Sequence, residues 1–181
     1  MTAKGRQRHF EMLLQAHRGI IFKVAGSYSR TAHDREDLAQ EICTQLWRSF
    51  PSYNPQRKFS TWMYRVALNV AISQARRERW SETDHFEPLN AHHLETIGSA
   101  DNTTQQDERL EVMYTFIGRL DALNRALILL YLEDRSYSEI ADILGISETN
   151  VATKINRVKQ KLRNQMNITG TTTAENAHGT R

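Results

Sequence analysis

Trp62, Arg65, Asn69, Ser73 and Arg76 follow one another at intervals of three or four residues. At about 100° per residue they fall within roughly a quarter of a helix's circumference. The row joins an aromatic ring, an amide and two cations. That combination suits single-stranded nucleic acid, since every base offers a π-face and every nucleotide a phosphate. The segment Ser52 to Lys58, just ahead of the row, carries Tyr53, Asn54, Arg57 and Lys58, residues that could pocket an unstacked base. Taken singly, Trp62 reads rather as a core aromatic, because large aromatics mostly serve packing.

A second constellation is SYSEIADILGISETNVATKINRVKQKL, from Ser136 to Leu162. Ser136 with Glu139 forms a capping box, Gly145 supplies a turn, and Ser147 caps a second helix. On that second helix Val151, Ile155, Val158 and Leu162 share the inward face. The opposite face carries Thr149, Thr153, Asn156, Arg157 and Gln160, with Lys154 and Lys161 at its edge. This is a helix-turn-helix pattern with a polar, basic outer face, suited to base edges and phosphates in a major groove. Short capped helix pairs also occur in plain bundles.

A third face lies between them in the chain's logic and ahead of them in sequence. Asp37, Gln40, Glu41, Thr44 and Arg48 fall on one side of a helical run, and Ala39, Ile42, Cys43, Leu46 and Phe50 on another. Trp47 sits at the margin. A bordering tryptophan beside acidic and amide side chains resembles a protein-protein contact, while ordinary amphipathicity explains the same spacing.

These residues need helices to position them. Apolar residues recur at helical spacing from about Arg8 to Tyr28, then from Asp34 and Glu36 to Phe50. Pro51, Asn54 and Pro55 break the pattern, and a third helix is predicted from an N-cap near Ser60 to about Arg79. The expectation is an all-α chain of two small helical domains: a three-helix bundle over 1–80 and a helix-turn-helix domain over 106–166. A flexible acidic linker, 81–105, joins them, and 167–181 is expected to be a disordered tail. Between Glu82 and Glu108 there is no Lys or Arg, whereas Glu82, Asp84, Glu87, Glu95, Asp101, Asp107 and Glu108 are acidic. Extended, such a linker spans up to about 80 Å.

Composition narrows the function classes. With 181 residues, 39% hydrophobic and 25% charged, the chain has room for two small domains but not for a large enzyme. No apolar run approaches a membrane span and no signal-peptide core is seen, so a cytoplasmic location without membrane insertion is expected. Cys43 is the one cysteine, which excludes an intrachain disulfide and a multi-cysteine zinc site. His85, His92 and His93 with Glu87 and Glu95 lack the pairing of a helical metal motif. No catalytic residue, metal or cofactor is expected.

The stretch DREDLAQEICTQLWRSFPSYNPQRKFSTWMYRVALNVAISQARR resembles the second conserved region of sigma-70-type factors, and Leu120 to Leu162 resembles their fourth. With no intervening third region, the chain resembles an extracytoplasmic-function, or group IV, sigma factor over about Phe10 to Leu162. The resemblance implies that Asp37, Leu38, Gln40, Glu41 and Trp47 dock on the clamp helices of the beta-prime subunit of core RNA polymerase, and that the fourth region meets the beta flap. It implies that Tyr53, Asn54, Arg57, Lys58, Trp62, Arg65, Asn69, Arg76 and Arg77 melt and read the minus-ten element, a flipped non-template base entering a pocket that Asn69 helps to line. Thr149, Asn150, Thr153, Lys154, Asn156, Arg157 and Lys161 would read the minus-thirty-five element in duplex DNA. Ala152 departs from the pattern, standing where many relatives carry Lys or Arg. An anti-sigma factor is implied as a partner. The rival reading is a conventional helix-turn-helix regulator whose first domain senses a ligand or dimerises.

Overall fold

A computed structural model of the chain describes the backbone of residues 3–81 and 116–176, and the side chains of 4–77 and 116–164. The expected linker therefore lies, apart from Ser81, outside the described residues, as do His85, His92 and His93. The elements are α1 (Ala3–Ala16), α2 (Gly19–Tyr28), α3 (Ala32–Ser49), a 3-10 turn (Phe50–Ser52), α4 (Phe59–Ser81), a short helical turn at 116–119, α5 (Ala122–Leu132), α6 (Tyr137–Leu144) and α7 (Glu148–Asn176). Among the described residues there is no strand.

The single helix expected from Arg8 to Tyr28 is two. At the junction the amides of His17, Ile20 and Ile21 bond the carbonyls of Leu14, His17 and Arg18, three residues back, and the ring Nδ1 of His17 lies 3.0 Å from the Leu13 carbonyl. The break leaves the apolar spacing in step, with Leu13 and Leu14 followed by Ile20 and Ile21 one heptad later, so periodicity could not reveal it. The amino-terminal unit thus has four helices rather than three.

Helix α3 opens with a capping box: Thr31 Oγ1 accepts from the Asp34 amide at 3.1 Å, and Asp34 Oδ2 accepts from the Thr31 amide at 3.2 Å. α4 starts at Phe59, with the Trp62 amide bonding the Lys58 carbonyl, so Ser60 lies inside the first turn rather than at the cap. α5 is capped by Asp121. It ends in a Schellman pattern, the Arg135 amide reaching the Leu130 carbonyl and Asp134 adopting a φ of 53°. Ser136 and Glu139 form the expected capping box of α6, Gly145 has a φ of 67°, and Ser147 Oγ accepts from the Asn150 amide. α7 continues to Asn176, where a disordered tail from 167 was expected. Extension of an anchored helix needs no new nucleus, which lets poor helix formers such as Thr171 to Thr173 stay in register.

The two units are packed together. Val24, Ile42, Leu46, Met63 and Leu68 on one side, and Leu127, Leu130, Ile140, Val151 and Ile155 on the other, belong to one apolar cluster. α4 lies against α5 and α6, and α2 against α5. Polar groups stitch the seam. Tyr28 Oη donates to the Ala122 carbonyl at 2.6 Å, Arg125 Nη1 to the Ser27 carbonyl at 3.1 Å, and Lys23 Nζ to both Glu133 oxygens at 2.7 Å. Tyr64 Oη donates to Glu133 Oε2 at 3.2 Å, and the guanidinium of Arg135 lies 5.3 Å from the centre of the Tyr64 ring.

Two substitutions separate packing from backbone strain. Leu130→Ala, which truncates a fully buried side chain, should lower the unfolding free energy by about 2–5 kcal/mol in urea titrations followed by circular dichroism. Gly145→Ala places a methyl in open space but forces an alanine into the left-handed region, and should cost about 1–2 kcal/mol.

Candidate nucleic-acid interface

The turn and loop before α4 form a braced platform. Phe50, Tyr53, Phe59 and Trp62 cluster, with Tyr53 5.3 Å from Phe59 and 5.2 Å from Trp62, and Phe59 5.3 Å from Trp62, between ring centres. Tyr53 Oη donates to the Arg57 carbonyl at 2.8 Å, and Asn54 Oδ1 accepts from the Gln56 amide at 3.0 Å. Phe50 and Phe59 are buried, whereas Tyr53 and Trp62 are half-buried. Trp62 is therefore partly packed and partly open to water, neither a fully buried core aromatic nor a free one. Asn69, Arg76 and Arg77 lie exposed farther along α4, Asn69 about two turns beyond Trp62 on the same side.

Three cations expected to face nucleic acid already have acidic partners. Arg65 Nη2 lies 2.9 Å from Asp142 Oδ1 and also donates to the Asp142 carbonyl. Arg57 Nη1 lies 3.4 Å from the same carboxylate oxygen, and Lys58 Nζ lies 3.2 Å from Glu139 Oε1. Both acids are on α6. Sequence reading gave Glu139 only its capping duty and missed Asp142. Their spacing of three residues put them on one face, but nothing local indicated that α4 would lie opposite.

On α7, Thr149, Asn150, Thr153, Asn156, Arg157 and Lys161 are exposed and Lys154 is half-buried. Val151 and Ile155 are fully buried and Val158 nearly so, which turns the polar residues outward as the pattern required. Thr153 Oγ1 donates to the Thr149 carbonyl at 2.9 Å, tying down one of the outward hydroxyls. Ala152 is half-buried.

On α3, Asp37, Gln40 and Glu41 are exposed, with Asp37 Oδ2 3.5 Å from His33 Nε2. Trp47 is 41% exposed and packs edge-on against Phe10 with ring centres 5.1 Å apart. Leu38 departs from the expected surface set. It is 1% exposed and lies in the core, where it holds α3 in place behind the acidic face.

Ionisation follows these environments. Burial, with Glu133 adjacent, pushes the Tyr64 phenol up to about 12, so it remains a donor to Glu133 in neutral solution. Burial likewise raises the phenol of Tyr28 and the thiol of Cys43. The Glu139 carboxyl is held below its ordinary range, first by its hydrogen bond with the Ser136 backbone and then by Lys58.

Comparison with known proteins bears on what these surfaces serve. The sigma-70 region 2 family matches residues 13–81 and the sigma-70, region 4 family matches residues 110–162. The ECF RNA polymerase sigma factor SigW of Bacillus subtilis (strain 168) is 29% identical over 176 residues, covering 90% of this chain and 91% of that one. The ECF RNA polymerase sigma-E factor of Escherichia coli (strain K12) is 30% identical over 171 residues, covering 90% of this chain and 89% of that one. The chain belongs to the ECF sigma factors.

Two solved structures share the fold of this sigma factor. CnrH, in complex with the cytosolic domain of CnrY, aligns with a TM-score of 0.64 at 24% identity over 92% of each chain. The sigma factor RpoE of Bartonella quintana, in complex with the anti-sigma factor NepR, aligns with a TM-score of 0.64 at 22% identity, covering 92% of this chain and 99% of that one. Family membership makes the function that of an RNA polymerase sigma factor, and the conventional regulator is not favoured.

The lowered Glu139 carboxyl predicts a pH response of definite sign for the sigma factor. A carboxyl whose ionised form is favoured by folding contributes its stabilisation above the ordinary glutamate range and loses it as pH falls through the lowered value. Thermal melts taken from neutral pH to below the glutamate range should fall more steeply for the native chain than for Glu139→Gln, which can still accept from the Ser136 amide. Parallel curves would remove Glu139 from the response.

Proposed function

We propose that this sigma factor docks on the clamp helices of the beta-prime subunit through Asp37, Gln40, Glu41 and Trp47, with Leu38 acting from behind, while its fourth region meets the beta flap. So displayed, Tyr53, Asn54, Arg57, Lys58, Trp62, Arg65, Asn69, Arg76 and Arg77 melt and read the minus-ten element. Thr149, Asn150, Thr153, Lys154, Asn156, Arg157 and Lys161 read the minus-thirty-five element as duplex. The observation that carries this reading is the half-exposed Tyr53 and Trp62 platform, continuous with the amide and cations of α4.

The mechanism is differential binding. Contacts available only to unstacked bases favour the melted promoter over the closed duplex, and the equilibrium shifts by that difference alone. Nucleotidyl transfer belongs to the polymerase, so the sigma factor supplies binding energy and no catalytic group. A cytoplasmic location accords with this role, and no helix among the described residues is long and apolar enough to cross a membrane. An anti-sigma factor is proposed as a regulator, supported by the anti-sigma factor NepR in the RpoE complex.

Core polymerase lacking sigma should co-elute with the native chain, and should not with a chain carrying Asp37→Lys and Glu41→Lys. Failure of the native chain to bind at any salt concentration would refute the reading. Arg157→Ala should leave co-elution intact while weakening duplex upstream-element binding by about 1–3 kcal/mol, measured by fluorescence anisotropy.

A further inference from the structure

The packed arrangement treats the two proposed DNA readers unequally. Arg57, Lys58 and Arg65 of the minus-ten reader are paired with Asp142 and Glu139 on α6. The outward side chains Thr149, Asn150, Thr153, Asn156 and Arg157 of α7 all face water. Arg65 meets two oxygens of one residue, a carboxylate oxygen and the carbonyl of Asp142. A guanidinium engages a phosphate group through acceptor oxygens too, and the Asp142 carboxylate supplies the negative charge that a phosphate would. Glu139 is not dedicated to Lys58 alone, since Arg135 Nη1 stands 3.9 Å from it and the Ser136 amide donates to it.

We propose that α6 is an intramolecular competitor for single-stranded DNA, its two carboxylates standing where strand phosphates would bind. The inference rests on the assignment of the minus-ten reader made above. The packed chain binds duplex through α7 but takes a melted strand only when the two units part. The competitor is weak by construction. The Arg65 and Asp142 side chains are 41% and 46% exposed, and ion pairs so exposed are individually worth little. Because strand and α6 use the same cations, binding of the strand must favour separation by the same factor that separation favours the strand.

The test uses the full chain without polymerase. Affinity for a fluorescent single-stranded oligonucleotide is compared between the native chain and Asp142→Asn combined with Glu139→Gln, variants that remove charge without adding a cation. Distances between spin labels at Arg48→Cys and Gln160→Cys, in a Cys43→Ala background, report separation of the units independently. If about one native chain in ten is open, the neutralised chain should bind the oligonucleotide more tightly, by up to about tenfold, the limit reached at complete opening. Its label distances should lengthen, and saturating oligonucleotide should lengthen those of the native chain. Equal affinities in a neutralised chain whose labels have moved apart would overturn the competition while leaving the minus-ten assignment standing. Unchanged label distances would overturn the role of the carboxylates in holding the units. A separated chain that binds no oligonucleotide would overturn the minus-ten assignment, and the proposal with it.

Discussion

Lys23 from α2 and Tyr64 from α4 both end on the carboxylate of Glu133, which follows the last residue of α5. A carboxylate accepts without donating, so it can take an ammonium and a phenol together without conflict. The raised pKa of Tyr64 keeps the phenol as the donor. The Schellman end of α5 places Glu133 at this junction and turns the chain through Asp134 toward Ser136. The start of α6, and hence where Glu139 and Asp142 face α4, follows from how that one helix stops.

Neither unit is large, and small units bury a small share of their surface. Sharing a core offsets that handicap. The seam nevertheless carries many polar contacts, of the kind found where domains of one chain meet and move. Tyr28, Arg125, Lys23 and Tyr64 all direct polar atoms across it. Each of those groups can be satisfied by water when the units part, unlike apolar surface, so separation exposes less that water disfavours than unfolding either unit would. The seam thus joins the two units into one structure through a shared apolar core and polar contacts that water can replace.

Local cues were legible in the sequence. Ser136, Glu139, Gly145 and Ser147 specified α6, its turn and the start of α7, because capping and left-handed turns are decided within a few residues. The inward set of Val151, Ile155 and Val158 followed from period alone. What escaped was set by distance along the chain. Lys23 and Glu133 are separated by 110 positions, and no periodicity records such a meeting. Leu38 is a different case. It lies four residues before Ile42 and eight before Leu46, both buried, so helical spacing was enough to put it inside, although the apolar face read from the sequence began at Ala39 and family resemblance set Leu38 on the surface. The split between α1 and α2 was invisible because a break that preserves register leaves the pattern intact.

In the proposed competition, reusing one set of cations for two acceptors also changes what a strand must do to bind. A strand that displaced only water from Arg57, Lys58 and Arg65 would gain the full phosphate interaction, and any polyanion would gain much the same. Where carboxylates already hold those cations, the phosphate term is offset in part. The remaining preference comes from whatever carboxylates cannot offer, which is a base to set against Tyr53, Trp62 and Asn69. Electrostatic attraction is indifferent to sequence, whereas stacking and amide contacts require an unstacked base. Under the proposed competition, pairing the cations within the chain weakens the unselective part of the binding and leaves whole the part that would distinguish a melted promoter from any other nucleic acid.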